Sequence, residues 1–252
     1  MKRLGTPSTT IVSVLTIIII ALVFLYGRYN NTNAYAYNAF SLFKESMDTM
    51  SEPPKIVLFG DSILNNTRYV DSGKSVTASL KRMYGDNLQT YAQDGAYISN
   101  IYGQVEQYET YGGWDDAGSS KTHIIISVGG NDLLNALNMG DLDDSKVTHL
   151  SSKYERLLNY IRGKYPNAVV HLLNVYQPVD DLFTSAAAQI EKWNDSVYKT
   201  ATRGGKKSQV TNVVKIDEVC VNESDFVNTI EPSVKGGKKI VSLIVQNVNE
   251  YY

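Results

Sequence analysis

Three short stretches of the sequence carry residue types that together could attack an ester carbonyl and stabilise the charge that results. In "GDSIL", Gly60 to Leu64, Ser62 follows an apolar run and a glycine and precedes a segment of helical character. A serine so placed offers its hydroxyl as a nucleophile and its backbone N–H to the oxyanion that attack creates. In "QDGAYISN", Gly95 can expose a backbone N–H with no side chain in the way. In "VGGNDLL", Asn131 can aim a side-chain NH₂ into the same space. Each stretch also has an ordinary reading: Gly-Asp-Ser is a common turn and cap sequence, Gly95 suits a tight turn, and Asn131 suits a helix N-cap. Yet each follows its own strand-like run, in order along the chain, and turn formation alone gives no reason for that.

Those runs set the fold expectation. "KIVLF" (55–59), "LQTYA" (88–92), "HIIISV" (123–128), "AVVHLLNV" (168–175) and "NVVKI" (212–216) read as strands, the central ones apolar enough to be buried on both faces. Between them, Ile98, Ile101, Tyr102, Val105 and Tyr108 follow helical spacing, as do Tyr154, Leu157, Leu158 and Ile161. Ile240, Leu243, Ile244 and Val248 share one face of a final helix. This alternation predicts an α/β fold with a five-stranded parallel sheet between helical layers. Right-handed crossovers then bring the loop after every strand to one edge, where such folds build their sites. A flavodoxin-like mononucleotide domain shares the alternation, but "GDSILNNT" lacks a phosphate cradle.

With these blocks in place, residues from about Pro54 to Val248 resemble the SGNH hydrolases, also called the GDSL esterase/lipase family. The resemblance rests on Gly60-Asp61-Ser62, on Gly95, and on Gly129-Gly130-Asn131-Asp132. It implies a three-layer α/β/α sandwich, Ser62 as nucleophile, and an oxyanion hole formed by the Ser62 N–H, the Gly95 N–H and the Asn131 side chain. The family's last block, Asp-x-x-His-Pro, is altered here. Aligned on "PSVKGGKKI", Asn228 stands at the aspartate and Glu231 at the histidine. In a second register Asp225 keeps the aspartate and Asn228 takes the place of the histidine. Neither register supplies a histidine.

The base must then come from elsewhere. His123 and His171 begin their strands, roughly 20 Å from the catalytic edge at about 3.3 Å per residue, and read as structural. His149 lies on the correct edge, where exposure in a first helical turn is the simpler reading. Glu231 falls after the fifth strand, beside Pro232 and just before the final helix. Its carboxylate could accept the Ser62 proton, or satisfy free N–H groups at the helix entry. With a reference pKa of about 4.3 it is a weaker base than imidazole unless burial raises it. Asp225 is either an orienting acid or a loop residue, and Asp61 and Asp132 are expected to cap turns and hold the loops.

The resemblance implies serine-dependent hydrolysis of an acyl ester, with an O-acetylated glycan or a lipid as natural first substrates. The rival is a degenerate fold kept as a binding module for glycan or acyl ligands. Tyr91, Tyr97, Tyr102, Tyr108 and Tyr111 could stack on sugars for such a module, or simply pack. Residues 133–147 are placed to form a lid.

At 252 residues with 43% hydrophobic content, the chain can build one sizeable core. A formal charge of -2 with scattered Lys and Arg argues against nucleic acid as a partner. Three separated histidines and one cysteine offer no ligand spacing, so neither metal nor cofactor is expected. Cys220 stands alone, which excludes an intrachain disulfide. Thr10 to Tyr26 is nearly all apolar, with Lys2 and Arg3 before it and Arg28 after. This predicts a cytoplasmic 1–9, a transmembrane signal anchor at 10–27, a stalk at 28–53 and an outward-facing domain at 54–252. The competing reading is a cleaved signal peptide ending near Ala34 to Ala36, which would leave the domain secreted. Sequons at Asn30, Asn65, Asn194 and Asn222 would carry glycans only in a eukaryotic secretory lumen.

Overall fold

The computed structural model describes residues 53–71, 73–113, 122–203 and 210–251. The expected anchor at 10–27, its short cytoplasmic flank and the stalk up to residue 52 lie outside the described residues. Among the described residues no helix is long and apolar enough to cross a membrane.

The chain runs β1 (Lys55–Gly60), α1 (Ser62–Asn65), α2 (Val76–Tyr84), β2 (Leu88–Thr90), α3 (Asn100–Tyr111), β3 (Thr122–Ser127), α4 (Gly130–Asn138) and α5 (Asp144–Lys164). It continues through β4 (Val169–Leu173), α6 (Asp181–Thr184), α7 (Ala187–Thr202), β5 (Thr211–Val214), the short β6 (Phe226–Val227) and β7 (Glu231–Pro232), and α8 (Val234–Glu250). β1 to β5 form one sheet in the order β2-β1-β3-β4-β5, and every pairing is parallel.

The two-residue period of a strand sorts side chains to opposite faces. Ile56, Leu58, Ile125, Leu173 and Val214 meet Val76 and Leu80 of α2 and Ile240, Ile244 and Val248 of α8. On the other face Val57, Phe59, Ile124, Ile126, Val170 and Leu172 meet α3, α5 and α7 through residues such as Val105, Leu158 and Trp193. Helices on both faces explain why these strands read as unbroken apolar runs. Truncating Ile125, which has no exposed surface, to alanine would cost about 2–5 kcal/mol.

From β1 the chain moves outward to β2, then returns to place β3 on the other side of β1. The strand order therefore reverses between β1 and β3, and the loops leaving these two strands diverge to open a crevice. Ser62 follows β1 and Asn131 follows β3.

His123 and His171 lie on β3 and β4, inside the α2 and α8 face. They form a stacked, buried pair with Nδ1 of His123 2.8 Å from Nε2 of His171. Burial pushes them down to about 4 and about 3, so both rings are neutral and structural.

Candidate active site

The nucleophile is held by the end of β1. Gln104 of α3 grips both backbone groups of Gly60, accepting from its N–H at 2.7 Å and donating to its carbonyl at 2.8 Å. Asp61 caps α1: its carboxylate accepts from the Ile63 N–H at 3.1 Å and from the Ser127 hydroxyl at 2.8 Å. Burial pushes the Asp61 carboxyl up to about 7; the bonds from Ser127 and Ile63 oppose this, and the Glu231 charge adds to it. The capping expected of Asp61 is present. Ser62 opens α1, so its N–H has no intrahelical partner, and it makes no other hydrogen bond among the described residues.

The loops after β2 and β3 are stitched together beside it. Gly95 has φ of 77°, a conformation that favours glycine, and its N–H is likewise uncommitted among the described residues. Asn131, in the first turn of α4, donates from Nδ2 to the Ala96 carbonyl at 3.1 Å. That bond uses one of its two amide hydrogens and leaves the other. Asp132 accepts from the Ile98 N–H at 3.0 Å, which is the loop-holding work expected of it. Gly129, with φ of 112°, could not carry a side chain: a Cβ there would sit 2.1 Å from the Trp193 ring.

Glu231 faces the nucleophile. The Ser62 hydroxyl donates to Glu231 Oε1 at 3.2 Å, and both side chains are buried. Burial raises the Glu231 carboxyl above its ordinary range and the charge of Asp94 adds to this, while the Ser62 and Tyr69 hydroxyls pull it partly back. A raised carboxyl is a better proton acceptor near neutral pH than a free one.

The other candidates do other work. Asp225 is fully buried, but its Oδ2 accepts from the Val221 and Asn222 N–H groups and from Lys239 Nζ at 2.6 Å. Burial acts to raise its carboxyl, but Lys239 and Asn222 outweigh that and hold it low. The hydrogen bonds of this carboxylate go to the Val221 and Asn222 groups and to Lys239, and among the described residues none goes to Glu231. Asn228 does not orient it either: it adopts φ of 47° in the turn between β6 and β7, and its carbonyl accepts from the Ile230 N–H. His149 is exposed on α5 and stands away from the Ser62 cavity.

Asp61, Ser62, Asn131 and Glu231 line one cavity of about 610 Å³, counting its open mouth; Gly95 is not part of its wall. Tyr176 also lines it, and the rest of that wall is apolar, with Leu133, Leu137, Leu142, Phe183 and Ile190 among the contributors. The segment expected as a lid, 133–147, is instead the end of α4, a short loop and the start of α5, and it forms one wall. The tyrosines assemble no common platform: Tyr108 is in the core against Phe59 and Tyr91, Tyr102 packs on Tyr160, and only Tyr97 and Tyr111 are exposed. Asn65 and Asn194 spend their side chains on Asp94 and on the Val175 backbone, and the exposed Asn222 turns its amide to Asp225. Among the described residues no cluster of His, Cys, Asp and Glu could hold a metal ion.

Gln104, Asn66, Tyr69, Asp94 and Tyr176 escape sequence reasoning. Gln104 left one trace, a polar residue within the apolar stripe of Ile101, Val105 and Tyr108. The others act through pairings across the fold that no local spacing records.

The model of the GDSL-like lipase/acylhydrolase family matches residues 58–226, which takes in Ser62, Gly95 and Asn131 and ends before Glu231. No curated protein sequence matches. Solved structures with the same fold include a member of the lipolytic protein G-D-S-L family from Veillonella parvula, 17% identical, covering 76% of this chain and 96% of its own, with a TM-score of 0.57. Phospholipase A1 from Streptomyces albidoflavus is 16% identical, with 77% and 98% covered and a TM-score of 0.54. A family 3 carbohydrate esterase from Clostridium thermocellum is 16% identical, with 78% and 98% covered and a TM-score of 0.54.

Proposed function

The chain belongs to the GDSL-like lipase/acylhydrolase family, and on that premise we propose that it is a serine-dependent acyl ester hydrolase whose base is Glu231. The observation that carries this reading is the 3.2 Å bond from the Ser62 hydroxyl to the Glu231 carboxylate in the wall of a largely apolar cavity. Ser62 Oγ attacks the ester carbonyl carbon and its proton passes to Glu231. The oxyanion is met by the Ser62 N–H and the remaining Asn131 amide hydrogen, with the Gly95 N–H, uncommitted but outside the cavity wall, as the third donor the family implies. Collapse breaks the bond to the alcohol, which leaves with the proton from Glu231. Water, deprotonated by the same carboxylate, then attacks the acyl carbon, the bond to Ser62 Oγ breaks, Glu231 returns the proton to that oxygen, and the acid is released.

The cavity favours an acyl chain longer than acetyl. Each methylene buried against Leu133, Leu137, Phe183 and Ile190 contributes about 0.8 kcal/mol, roughly fourfold in kcat/KM. Hydrolysis of activated acetyl, butyryl, hexanoyl and octanoyl esters by the full-length chain tests this. The expected result is a rate that climbs with chain length until the cavity is full, with Ser62 the residue labelled by a fluorophosphonate. A rate that is highest on acetyl and falls thereafter contradicts the acyl assignment. Ligand retention with no turnover and no labelling would favour the binding-module reading, which the absent histidine supports. The signal anchor at 10–27 belongs to the same proposal, as the tether of an outward-facing domain. Recovery of the chain in the soluble fraction after carbonate washing would contradict the tether.

A further inference from the structure

The contact between Ser62 and Glu231 depends on where a very short strand puts one carboxylate. β7 is two residues long, pairs only with the two residues of β6, and follows a turn in which Asn228 and Thr229 have φ of 47° and 74°. Positive φ at a β-branched residue is strained, on the order of 1–3 kcal/mol, and persists only where surrounding structure over-determines it. The family's orienting aspartate is not available to do this. Asn228 is spent in the turn, and Asp225 is held by Lys239.

Two buried side chains from outside the hairpin grip the peptide carbonyls on either side of Glu231. The Tyr176 hydroxyl donates to the Ile230 carbonyl at 2.7 Å, and Asn66 Nδ2 donates to the Pro232 carbonyl at 3.0 Å. Tyr176 follows β4, while Asn66 caps the C-terminal end of α1, four residues after Ser62. Asn66 has φ of 52° and no exposed surface. Asparagine and glycine are the residues that tolerate this conformation, and of the two only asparagine also brings a side-chain donor. The nucleophile and one grip on its base therefore sit on the same short helix.

We propose that Asn66 and Tyr176 are the positioning residues of Glu231 and take over the work of the missing aspartate by fixing the backbone on both sides of the base. This rests on the reading of Glu231 as the base. Both bonding groups act on main-chain carbonyls; the Tyr176 ring also lines the cavity with Ser62 and Glu231.

The test uses the full-length chain, with kcat, KM and the pH–rate profile measured on a butyryl ester. Asn66→Gly keeps the backbone conformation and deletes one grip; Tyr176→Phe keeps the ring and deletes the other. Thermal melts establish that each variant is folded. Each is expected to lower kcat about 10-fold, rising toward 10² as the base drifts, to leave KM within about twofold, and to move the acid limb of the profile. The combined variant is expected to lose less than the product of the two, since both act through one carboxylate. In a Glu231→Gln background neither should have a further effect. Full kcat in both folded variants, or equal losses with and without Glu231, overturns the positioning role while leaving the base intact. Wild-type turnover in Glu231→Gln alone overturns the base and the positioning role together.

Discussion

The loops that carry Ser62, Gly95 and Asn131 leave strands of the five-stranded sheet, whereas Glu231 lies on a two-residue strand that pairs only with β6 and is gripped from outside by the Tyr176 hydroxyl and the Asn66 amide. On the first side Gly60 is gripped by Gln104, Asp61 caps α1, and the Asn131 and Asp132 side chains tie two loops together. On the second, a two-residue strand follows a strained turn. The difference teaches where each kind of damage should appear. Changes on the donor side remove stabilisation of charge, while changes on the hairpin side move a base that is otherwise whole.

The sharpest way to break the comparison is on the donor side. Asn131→Ala should lower kcat about 10² to 10³-fold with little change in KM, as loss of one oxyanion donor does. Steady-state kinetics check this, and a loss confined to KM would place Asn131 in ground-state binding. Next in size is Gly129→Ala, which forces a side chain into the Trp193 ring and into a positive φ. Overpacking of this kind costs about 1–3 kcal/mol, so the melting temperature should fall and activity with it.

The smallest expected effect concerns pH. His123 and His171 are neutral when folded and have pKa values of about 4 and about 3, against 6.5 when unfolded. The unfolded chain therefore binds more protons below 6.5, and this pair makes stability fall as pH drops through that range. Asp61, raised from 3.8 to about 7, has the opposite sign: its contribution is lost as pH rises through that window. Glu231 and Asp132, also raised by burial, act with Asp61, and Asp225, held low, acts with the histidines, so each sign is read from its own variant beside the parent. From pH 6.5 to 4, His171→Phe should lose less melting temperature on acidification than the parent and Asp61→Asn should lose more. Thermal melts across this range decide both.

The five strands and the helices between them were legible because burial on both faces leaves unbroken apolar runs, and because Ile101, Val105 and Tyr108 repeat at helical spacing. β2 and β5 are shorter than their runs suggest; both stand at sheet edges with a single hydrogen-bonded neighbour strand. The positions of Ser62, Gly95 and Asn131 were legible because each follows its own strand, but that Gly95 stands outside the cavity wall was not. Glu231 was legible from its place before the final helix, but Asp225 and Asn228 were not separable from it by spacing. Only the three-dimensional arrangement shows that Lys239 claims one and the turn claims the other. Asn66 and Tyr176 left no trace because their partners are main-chain carbonyls far along the chain.

The central claim is that Glu231 takes the proton of Ser62. Its most direct test is the pH–rate profile of the full-length chain on a butyryl ester beside Glu231→Gln. The account predicts measurable turnover whose acid limb lies above the ordinary carboxylate range, since burial raises this group, and collapse of Glu231→Gln to the level of Ser62→Ala. A Glu231→Gln variant that keeps wild-type turnover and the same acid limb would contradict it.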